Sequence, residues 1–364
     1  MKRTLFLVLS FVLCMMLSCN NKPEENAPEV KEINLKGEIV DIDSTNKTIC
    51  PELLLGKLFI GRNRYQESLA GVLDSRHWYK ADTLFVPGHG HYEFEGLAFA
   101  KNKEHDLYLL NRPMAGAKLL SLTIIKDADS ISNIKDVTKW KKHELSSLAP
   151  FICKSSEFIA LSDSTILLPG AKTDDIEHIF HVVNFKNQTI TPLDYWPDDG
   201  FDGKSSPKNT AYTENATLYQ DGKGHYFYQS QSGLFAFIFT IENDKVNIVK
   251  ELYSEYPKYK QDEFGLNKVW MPLEGSPRDI MSYATDSNIY VLYKDSSRKG
   301  KKRDDWMGVL YGNTVEVFDW NGTKQKILHL DKFGHRIYVS EDNKTLYLWT
   351  EDDNDEMLLY AFDI

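Results

Sequence analysis

A strand pattern that recurs about every 60 residues is the feature of this 364-residue sequence that most restricts its fold. Each unit contains a short apolar strand, a polar turn, an aromatic-rich second strand, and then a hairpin of two further strands. The second strands are the clearest markers, and they cover residues 107–110, 166–169, 226–228, 290–293 and 347–349. Four strands per unit, repeated along the chain, are typical of β-propellers.

The number of units predicts six blades. A further unit at residues 58–86 precedes the first marker, and the last unit, residues 335–364, contains only three strands. A strand-like segment at residues 33–42 precedes the first unit. We predict that it supplies the missing strand of the last blade and closes the ring, because closure removes an exposed sheet edge. The predicted fold is an all-β, six-bladed β-propeller with four-stranded antiparallel blades.

The outer hairpins of the units are also predicted from the pattern. The hairpin of the second unit is assigned to residues 119–125 and 131–137, and that of the fifth unit to residues 315–320 and 326–330. Asn321-Gly322 joins the strands of the fifth unit, and this dipeptide is a strong signal for a two-residue hairpin turn.

The N-terminal residues predict export and a lipid anchor. Lys2 and Arg3 precede an apolar run at residues 5–17, which is shorter than the roughly 20 residues needed to span a bilayer. Ser18 and Cys19 follow the run in a sequence that resembles the bacterial lipoprotein box, where the cysteine carries lipid. An ordinary cleaved signal peptide is the alternative.

The domain boundaries follow from this interpretation. We predict a signal peptide at residues 1–18, a flexible polar tether at 19–32 and the propeller at 33–364. The membrane is therefore an expected partner through the lipid anchor, and the expected location is the cell envelope, at the outer membrane.

Two motifs add a family resemblance. Residues 88–94 are similar to the Gly-x-Gly-Pro-x-Glu-Phe motif of six-bladed propeller lipoproteins, with His91 where proline is usual. Residues 315–322 are similar to the aromatic-Asp-Trp-Asp-Gly hairpin of the same proteins. Over residues 35–364 the chain resembles the TolB-like group of Gram-negative lipoproteins. The resemblance implies the fold and the envelope location, and it implies no catalytic residues.

The charge of the chain argues against one class of partner. The formal net charge is −10 at pH 7. Nonspecific binding to nucleic acid requires positive charge, so no nucleic-acid partner is expected. A basic cluster at residues 298–303 could dock an anionic partner, although an exposed loop is the favoured interpretation.

Metal binding is considered at two segments. His89 and His91 have the spacing that places two imidazoles on one strand face, with Glu93 as a further ligand. The flanking glycines favour a tight turn instead. The acidic segment 198–203 resembles a calcium loop but lacks the EF-hand spacing, so a connection between blades is favoured. No other cofactor is expected.

Aromatic residues near the predicted strand ends are candidate ligand-binding residues, because flat rings with polar groups suit sugars and peptides. The four tryptophans in this set are Trp78, Trp196, Trp270 and Trp306. Packing between blades is the alternative role. Cys50 and Cys153 are predicted on non-adjacent blades, so a disulfide, which tolerates a Cα separation of only about 7 Å, is not expected.

The motifs of several enzyme classes are absent from the sequence, including H-E-x-x-H, G-x-S-x-G and the P-loop. The sequence therefore favours a non-enzymatic binding or scaffolding lipoprotein for a protein, peptide or glycan. The alternative is a metal-assisted propeller hydrolase or lyase that acts on carbohydrate or a lactone. That function would require carboxylates and histidines from several blades to converge at the channel mouth.

Overall fold

The computed structural model describes residues 30–42, 49–63, 69–78, 81–111, 120–148, 157–170, 177–200, 206–213, 216–230, 233–257, 278–299, 310–352 and 356–364. Within these ranges the strands form six sheets of four or five strands and one short two-stranded ladder. No helix in these ranges is long and apolar enough to cross a membrane.

The blades follow one another along the chain, and their strands have the following bounds. Blade 1 contains β3 (Ile49–Leu55), β4 (Leu58–Asn63), β5 (Ala70–Asp74) and β6 (Ala81–Leu84). The short parallel ladder of β7 (Val86–Pro87) and β8 (Glu93–Phe94) leads into blade 2, which contains β9 (Leu97–Lys101), β10 (Leu107–Asn111), β11 (Ser121–Ile125) and β12 (Trp140–Glu144). Blade 3 contains β13 (Ile159–Ala160), β14 (Thr165–Pro169), β15 (Phe180–Asn184) and β16 (Thr189–Pro192).

The second half of the chain repeats this arrangement. Blade 4 contains β17 (Thr217–Gln220), β18 (Tyr226–Ser230), β19 (Phe235–Glu242) and β20 (Lys245–Ser254). Blade 5 contains β21 (Arg278–Ala284), β22 (Asn288–Lys299), β23 (Leu310–Asp319) and β24 (Lys324–Gly334), with β1 (Lys31–Leu35) added beside β24. Blade 6 contains β25 (Arg336–Val339), β26 (Thr345–Glu351), β27 (Met357–Asp363) and β2 (Glu38–Ile39).

The first strands of the blades surround a central channel. Each contacts the first strand of the next blade, in the order β3, β9, β13, β17, β21 and β25. Tyr338 on β25 completes the circle, because its hydroxyl donates to the carbonyl oxygen of Pro51 on β3 at 2.6 Å. Residues Glu32–Ile364 form one compact unit. The predicted six-bladed propeller is confirmed.

The core lies between neighbouring blades, and the alternation of each strand explains how one strand serves two interfaces. On β10, Leu107 and Leu109 pack in the cluster between blades 1 and 2. Tyr108 and Leu110, on the opposite face of the same strand, pack in the cluster between blades 2 and 3. A second strand that is apolar on both faces is therefore the sequence feature that defines a blade.

The N-terminal segment closes the ring as predicted, but it serves two blades. β2 is the outermost strand of blade 6 and pairs with β27, and the Val40 N–H donates to the Leu359 carbonyl oxygen at 2.9 Å. β1 pairs with β24 instead and lies at the outer edge of blade 5. Between them, the Gly37 N–H donates to Asp331 Oδ1 at 2.8 Å. The segment therefore joins the outer edges of two neighbouring blades.

The predicted outer strand at residues 131–137 is wrong. This part of the chain forms α1 (Ile131–Lys135), followed by a 3₁₀ turn at Val137–Lys139, and the outer strand of blade 2 is β12. Ser130 caps α1 by accepting a hydrogen bond from the Asn133 N–H, and the helix buries Ile134. A helical N-cap and one buried apolar position are enough to fix a single turn when the neighbouring blade supplies the packing.

The predicted hairpin of blade 5 is confirmed, but four residues, 320–323, join its strands rather than the predicted two. β23 pairs with β24 across the Asn321-Gly322 turn, where Gly322 has a φ of 80°. Asp319 Oδ1 accepts the Asn321 and Thr323 N–H groups, each at 2.9 Å. Glycine suits this turn because a positive φ costs it little.

Candidate functional site

A cavity of about 210 Å³ lies where the innermost strands end in the turns to their second strands. All six blades contribute to its lining. One polar residue from each blade in turn is Glu52, Lys101, Glu157, Tyr219, Tyr283 and Glu341. We call this space the channel cavity. Because its lining comes from the whole ring, the cavity depends on ring closure.

Lys101 at the end of β9, with His105 and Glu341 from the turns of blades 2 and 6, forms a rim clamp at the cavity. Glu341 accepts hydrogen bonds from Lys101 Nζ at 2.8 Å and from His105 Nε2 at 3.1 Å. Its Oε1 also accepts the Gly56 N–H of blade 1 at 3.3 Å. The carboxylate of Glu341 therefore ties the turns of three successive blades together at one side of the channel mouth.

The charges of the rim clamp stabilise one another. Burial would raise the pKa of Glu341, but Lys101 and His105 outweigh it and hold the pKa below its ordinary value. Burial would lower the pKa of Lys101, but Tyr283, Glu341 and Asp286 outweigh it and raise the pKa. Both side chains are therefore charged at neutral pH. A carboxylate with a lowered pKa and several donors is a weak proton acceptor, which favours a structural or ligand-binding role.

The rim clamp predicts a pH-dependent effect of Glu341→Gln. Because the folded-state pKa of Glu341 is lowered, its stabilising contribution is complete above the ordinary glutamate pKa of about 4.3 and is lost as the pH falls through the folded-state value. We expect the variant to lose up to about 1 kcal/mol at pH 7, since the side chain is 41% exposed and exposed ion pairs contribute little.

Urea unfolding at pH 7 and at pH 3 would measure this effect. The difference between the wild type and Glu341→Gln should shrink at pH 3. Glu242→Gln, at the exposed end of β19, is the control and should show the same small difference at both values. A constant difference for Glu341→Gln would contradict the proposed charge pairing.

At the contact between blades 6 and 1, Arg336 and Tyr338 of β25 converge on one backbone oxygen of blade 1. Arg336 Nη1 and the Tyr338 hydroxyl both donate to the Pro51 carbonyl oxygen, at 2.5 and 2.6 Å. Tyr338, and also Glu52 and Glu157, raise the pKa of Arg336 against the effect of burial. A guanidinium that is permanently charged thus offsets two carboxylates that line the cavity.

Three tyrosines form an arc along blades 4, 5 and 6. The ring centroids of Tyr219 and Tyr283 are 5.5 Å apart, as are those of Tyr283 and Tyr338. Burial raises the pKa of all three hydroxyls, so they are protonated at neutral pH. Tyr219 donates to the Ser282 carbonyl oxygen at 3.1 Å and Tyr338 donates to Pro51.

Tyr283 differs from the two neighbouring tyrosines. It is 4% exposed and lines the channel cavity, and its hydroxyl has no hydrogen-bond partner among the residues that the structure describes. Buried tyrosine hydroxyls usually have a partner. The Tyr283 hydroxyl is therefore a polar group that is available to a molecule in the cavity.

The candidate metal residues lie away from the channel cavity, on the connection between blades 1 and 2. His89 Nδ1 contacts Glu95 Oε1 at 2.7 Å, whereas Glu93 Oε2 accepts the Gly90 N–H at 2.8 Å. His91 packs edge-on against the neighbouring Tyr92 ring. In the described part of the chain, no group of three or more His, Cys, Asp or Glu side chains could hold a metal ion. Metal binding by His89, His91 and Glu93 stays a prediction.

The acidic segment at residues 198–203 is described only as far as Gly200. Asp199 Oδ1 accepts a hydrogen bond from Lys208 Nζ at 3.0 Å, and its Oδ2 accepts one from the Tyr212 hydroxyl at 3.0 Å. Lys208 and Tyr212 belong to α2 (Ser206–Thr213). The Asp199 carboxylate therefore fixes the connection between blades 3 and 4, in agreement with the interpretation favoured from the sequence.

Two of the candidate tryptophans have packing partners and do not line the channel cavity. Trp78 lies 5.5 Å from Phe59 and 5.8 Å from Tyr347, measured between ring centroids. Trp196 packs near Tyr212 and beneath Lys208 Nζ, which is 5.3 Å from the ring centroid. Trp270, Trp306, Cys19 and Cys153 lie outside the described residues, as does most of the basic cluster. Ligand binding by the four tryptophans stays a prediction.

The polar lining of the channel cavity was missed from the sequence, although a weak signal exists. Lys101, Tyr219, Tyr283 and Glu341 each lie six or seven residues before the sequence marker of their blade, at residues 107, 226, 290 and 347. A polar or tyrosine residue at that recurring position marks the inner end of a blade. Glu52 has the same spacing, six residues before Leu58 in blade 1, whereas Glu157 lies nine residues before the marker at 166 and departs from it.

Comparisons with known proteins assign no family. No family model matches the sequence, and no match is found among the curated proteins. A manganese-bound oligogalacturonate lyase is similar over 92% of this chain and 98% of its own, with 12% identity and a TM-score of 0.38. An auxiliary nutrient binding protein from Bacteroides thetaiotaomicron is similar over 92% of this chain and 69% of its own, with 10% identity and a TM-score of 0.41. At such identities and TM-scores, these likenesses carry no argument about function.

Proposed function

We propose that this chain is an exported, lipid-anchored binding protein of the cell envelope, and that its ligand occupies the channel cavity. The observation that carries the proposal is the convergence of polar side chains from all six blades on one cavity. The ligand is a small molecule or the end of a peptide or glycan chain, because a cavity of about 210 Å³ cannot admit a folded partner. A protein partner would contact the outer surface instead.

The proposed location rests on the first residues of the sequence. The positive N-terminus, the apolar run at residues 5–17 and Cys19 together support export and lipidation. Several acyl chains would anchor the protein stably, because each buried methylene contributes roughly 0.8 kcal/mol. The two propeller motifs support membership of the TolB-like group of Gram-negative lipoproteins. A Cys19→Ser variant that remains in the membrane fraction after cell lysis would contradict the proposed anchor.

The channel cavity favours binding over catalysis. The carboxylate of Glu341 is held by Lys101, His105 and the Gly56 N–H, so its charge serves the rim clamp. One observation does favour the second candidate, a hydrolase or lyase, because an acid, a lysine and a histidine converge at the channel mouth. Their mutual pairing would have to break before any of them could transfer a proton to or from a substrate.

Ligand retention by the purified full-length chain tests the proposal. The protein would be incubated with small molecules extracted from the cell envelope, washed and heated, and the released compounds would be identified by mass spectrometry. We expect the wild type to retain a compound that a Lys101→Met/Tyr283→Phe variant does not. Tyr92→Phe, on the exposed segment before blade 2, is the matched control and should retain it.

The same experiment separates the two candidate functions. Recovery of an unchanged compound supports binding. A compound that the wild type converts to cleaved or unsaturated products, and the double variant does not, would establish the hydrolase or lyase instead. Equal retention by the wild type and the double variant would show that the channel cavity is not the ligand site.

A further inference from the structure

Three ion pairs involve charged residues that line the channel cavity, and Arg336 offsets the remaining carboxylate, Glu157. Lys101 Nζ lies 2.8 Å from Glu341, and Lys103 Nζ lies 3.7 Å from Asp286. Glu52 contacts Arg62 Nε at 2.7 Å. A strongly anionic or cationic ligand would attract one member of each pair and repel the other. The arrangement therefore offers no net advantage to a charged ligand.

We propose that the ligand of the channel cavity is an uncharged saccharide, held as a single sugar residue or as the end of a glycan chain. This inference rests on the proposed function, because it assigns the ligand class of the same site. Ammonium groups only donate hydrogen bonds and carboxylates only accept them. Each sugar hydroxyl does both, so neighbouring hydroxyls can accept from Lys101 and donate to Glu341, whose charged atoms lie side by side.

Tyr283 supplies the second and independent observation. Its side chain is 4% exposed, and its protonated hydroxyl has no hydrogen-bond partner among the described residues and is accessible at the same cavity. A sugar hydroxyl that enters the cavity can form a hydrogen bond with this group. Tyr283 thus adds a hydroxyl to the donors and acceptors of the rim clamp, whose Lys101 and Glu341 charges act on its pKa.

The size and the walls of the cavity agree with one sugar residue. Its volume of about 210 Å³ lies below the range of roughly 300 to 1,000 Å³ that is usual for sites of drug-sized ligands. Phe158 and Tyr219 also line it. Aromatic side chains of this kind can cover the C–H groups of a sugar ring while the charged pairs bind its hydroxyls.

Isothermal titration calorimetry on the full-length chain tests the inference. The neutral probes are the methyl glycosides of glucose, galactose and mannose. Glucuronate and glucosamine are the negatively and positively charged counterparts, and triglycine is the peptide probe. We expect at least one neutral glycoside to bind more tightly than every charged or peptide probe.

The variants identify the groups that make the contacts. Tyr283→Phe removes one hydroxyl and should weaken the binding of the best neutral glycoside by up to about tenfold, the usual range for the loss of one hydrogen bond. Lys101→Met should weaken it by a similar factor. Tyr92→Phe, the matched control outside the cavity, should leave the affinity within twofold of the wild type. A twofold change in Kd corresponds to about 0.4 kcal/mol of binding free energy.

The outcomes distinguish the ligand class from the proposed function. A charged probe or triglycine could bind more tightly than every neutral glycoside and lose this binding in Tyr283→Phe. That result would overturn the saccharide assignment and leave the channel cavity as the ligand site. Binding of a neutral glycoside that neither Tyr283→Phe nor Lys101→Met weakens would overturn both. Binding of none of the probes would overturn the saccharide assignment, and the retention experiment with envelope extract would then decide the proposed function separately.

Discussion

Deleting residues 33–42 is expected to lower the free energy of unfolding by about 5 kcal/mol, which approaches the whole stability of many domains. The deletion removes β2 from blade 6 and most of β1 from blade 5. It also removes Ile42, which is 6% exposed, and the half-buried Ile33, Leu35 and Val40 from the cluster that joins blades 5, 6 and 1. The outer edges of two blades would then be exposed, so aggregation should accompany the loss of stability.

Guanidinium unfolding and light scattering would measure both effects. Deleting residues 20–29 removes the same length of chain from the predicted tether and should leave the unfolding midpoint unchanged. If the 33–42 deletion also leaves the midpoint unchanged, the N-terminal segment does not close the ring.

A point substitution tests the same closure without shortening the chain. A Cβ atom at Gly37 would lie 2.5 Å from Phe362 Cζ, so Gly37→Val forces the segment away from blade 6. Overpacking of this kind costs about 1–3 kcal/mol. In a Gly37→Val/Phe362→Leu double variant, the leucine side chain is smaller than the phenyl ring it replaces and should relieve part of that clash. The two changes should therefore cost less together than the sum of their separate effects.

Lys208→Met is expected to destabilise the protein by about 3–5 kcal/mol, because it removes the cation from a buried carboxylate. Lys208 and Asp199 are 6% and 3% exposed and lie 3.0 Å apart. Methionine keeps much of the length of the lysine side chain, so the loss of charge dominates the effect. The Lys208→Met/Asp199→Asn double variant should recover part of the stability, since it leaves no buried charge to compensate.

Lys245→Met is the matched control for this prediction. Lys245 pairs with Asp194 at 3.3 Å, but the two side chains are 65% and 71% exposed. Exposed pairs of this kind contribute about 0–1 kcal/mol. Thermal unfolding of the three variants against the wild type would compare the two ion pairs. A cost for Lys208→Met no larger than that for Lys245→Met would show that the buried pair does not hold α2 to the connection between blades 3 and 4.

The apolar pattern of the second strands and their recurrence about every 60 residues made most of the fold predictable. In β10, apolar residues on both faces indicate a strand between two sheets, and the recurrence of such strands predicts a ring of blades. The blade 5 hairpin was predictable because Asn321-Gly322 restricts the turn locally. Local rules were insufficient at α1, where residues 131–135 contain two isoleucines that suit a strand as well as a helical turn.

The sequence by itself determined the repeat, the number of blades and the need for an N-terminal strand, because each follows from local alternation and from an incomplete last unit. Only the tertiary structure decided that the N-terminal segment serves two blades and that Glu52, Lys101, Glu157, Tyr219, Tyr283 and Glu341 share one cavity. The reason is physical. Strand pairing and turns depend on neighbouring residues, whereas the channel cavity is formed by residues up to 289 positions apart that meet only when the ring closes.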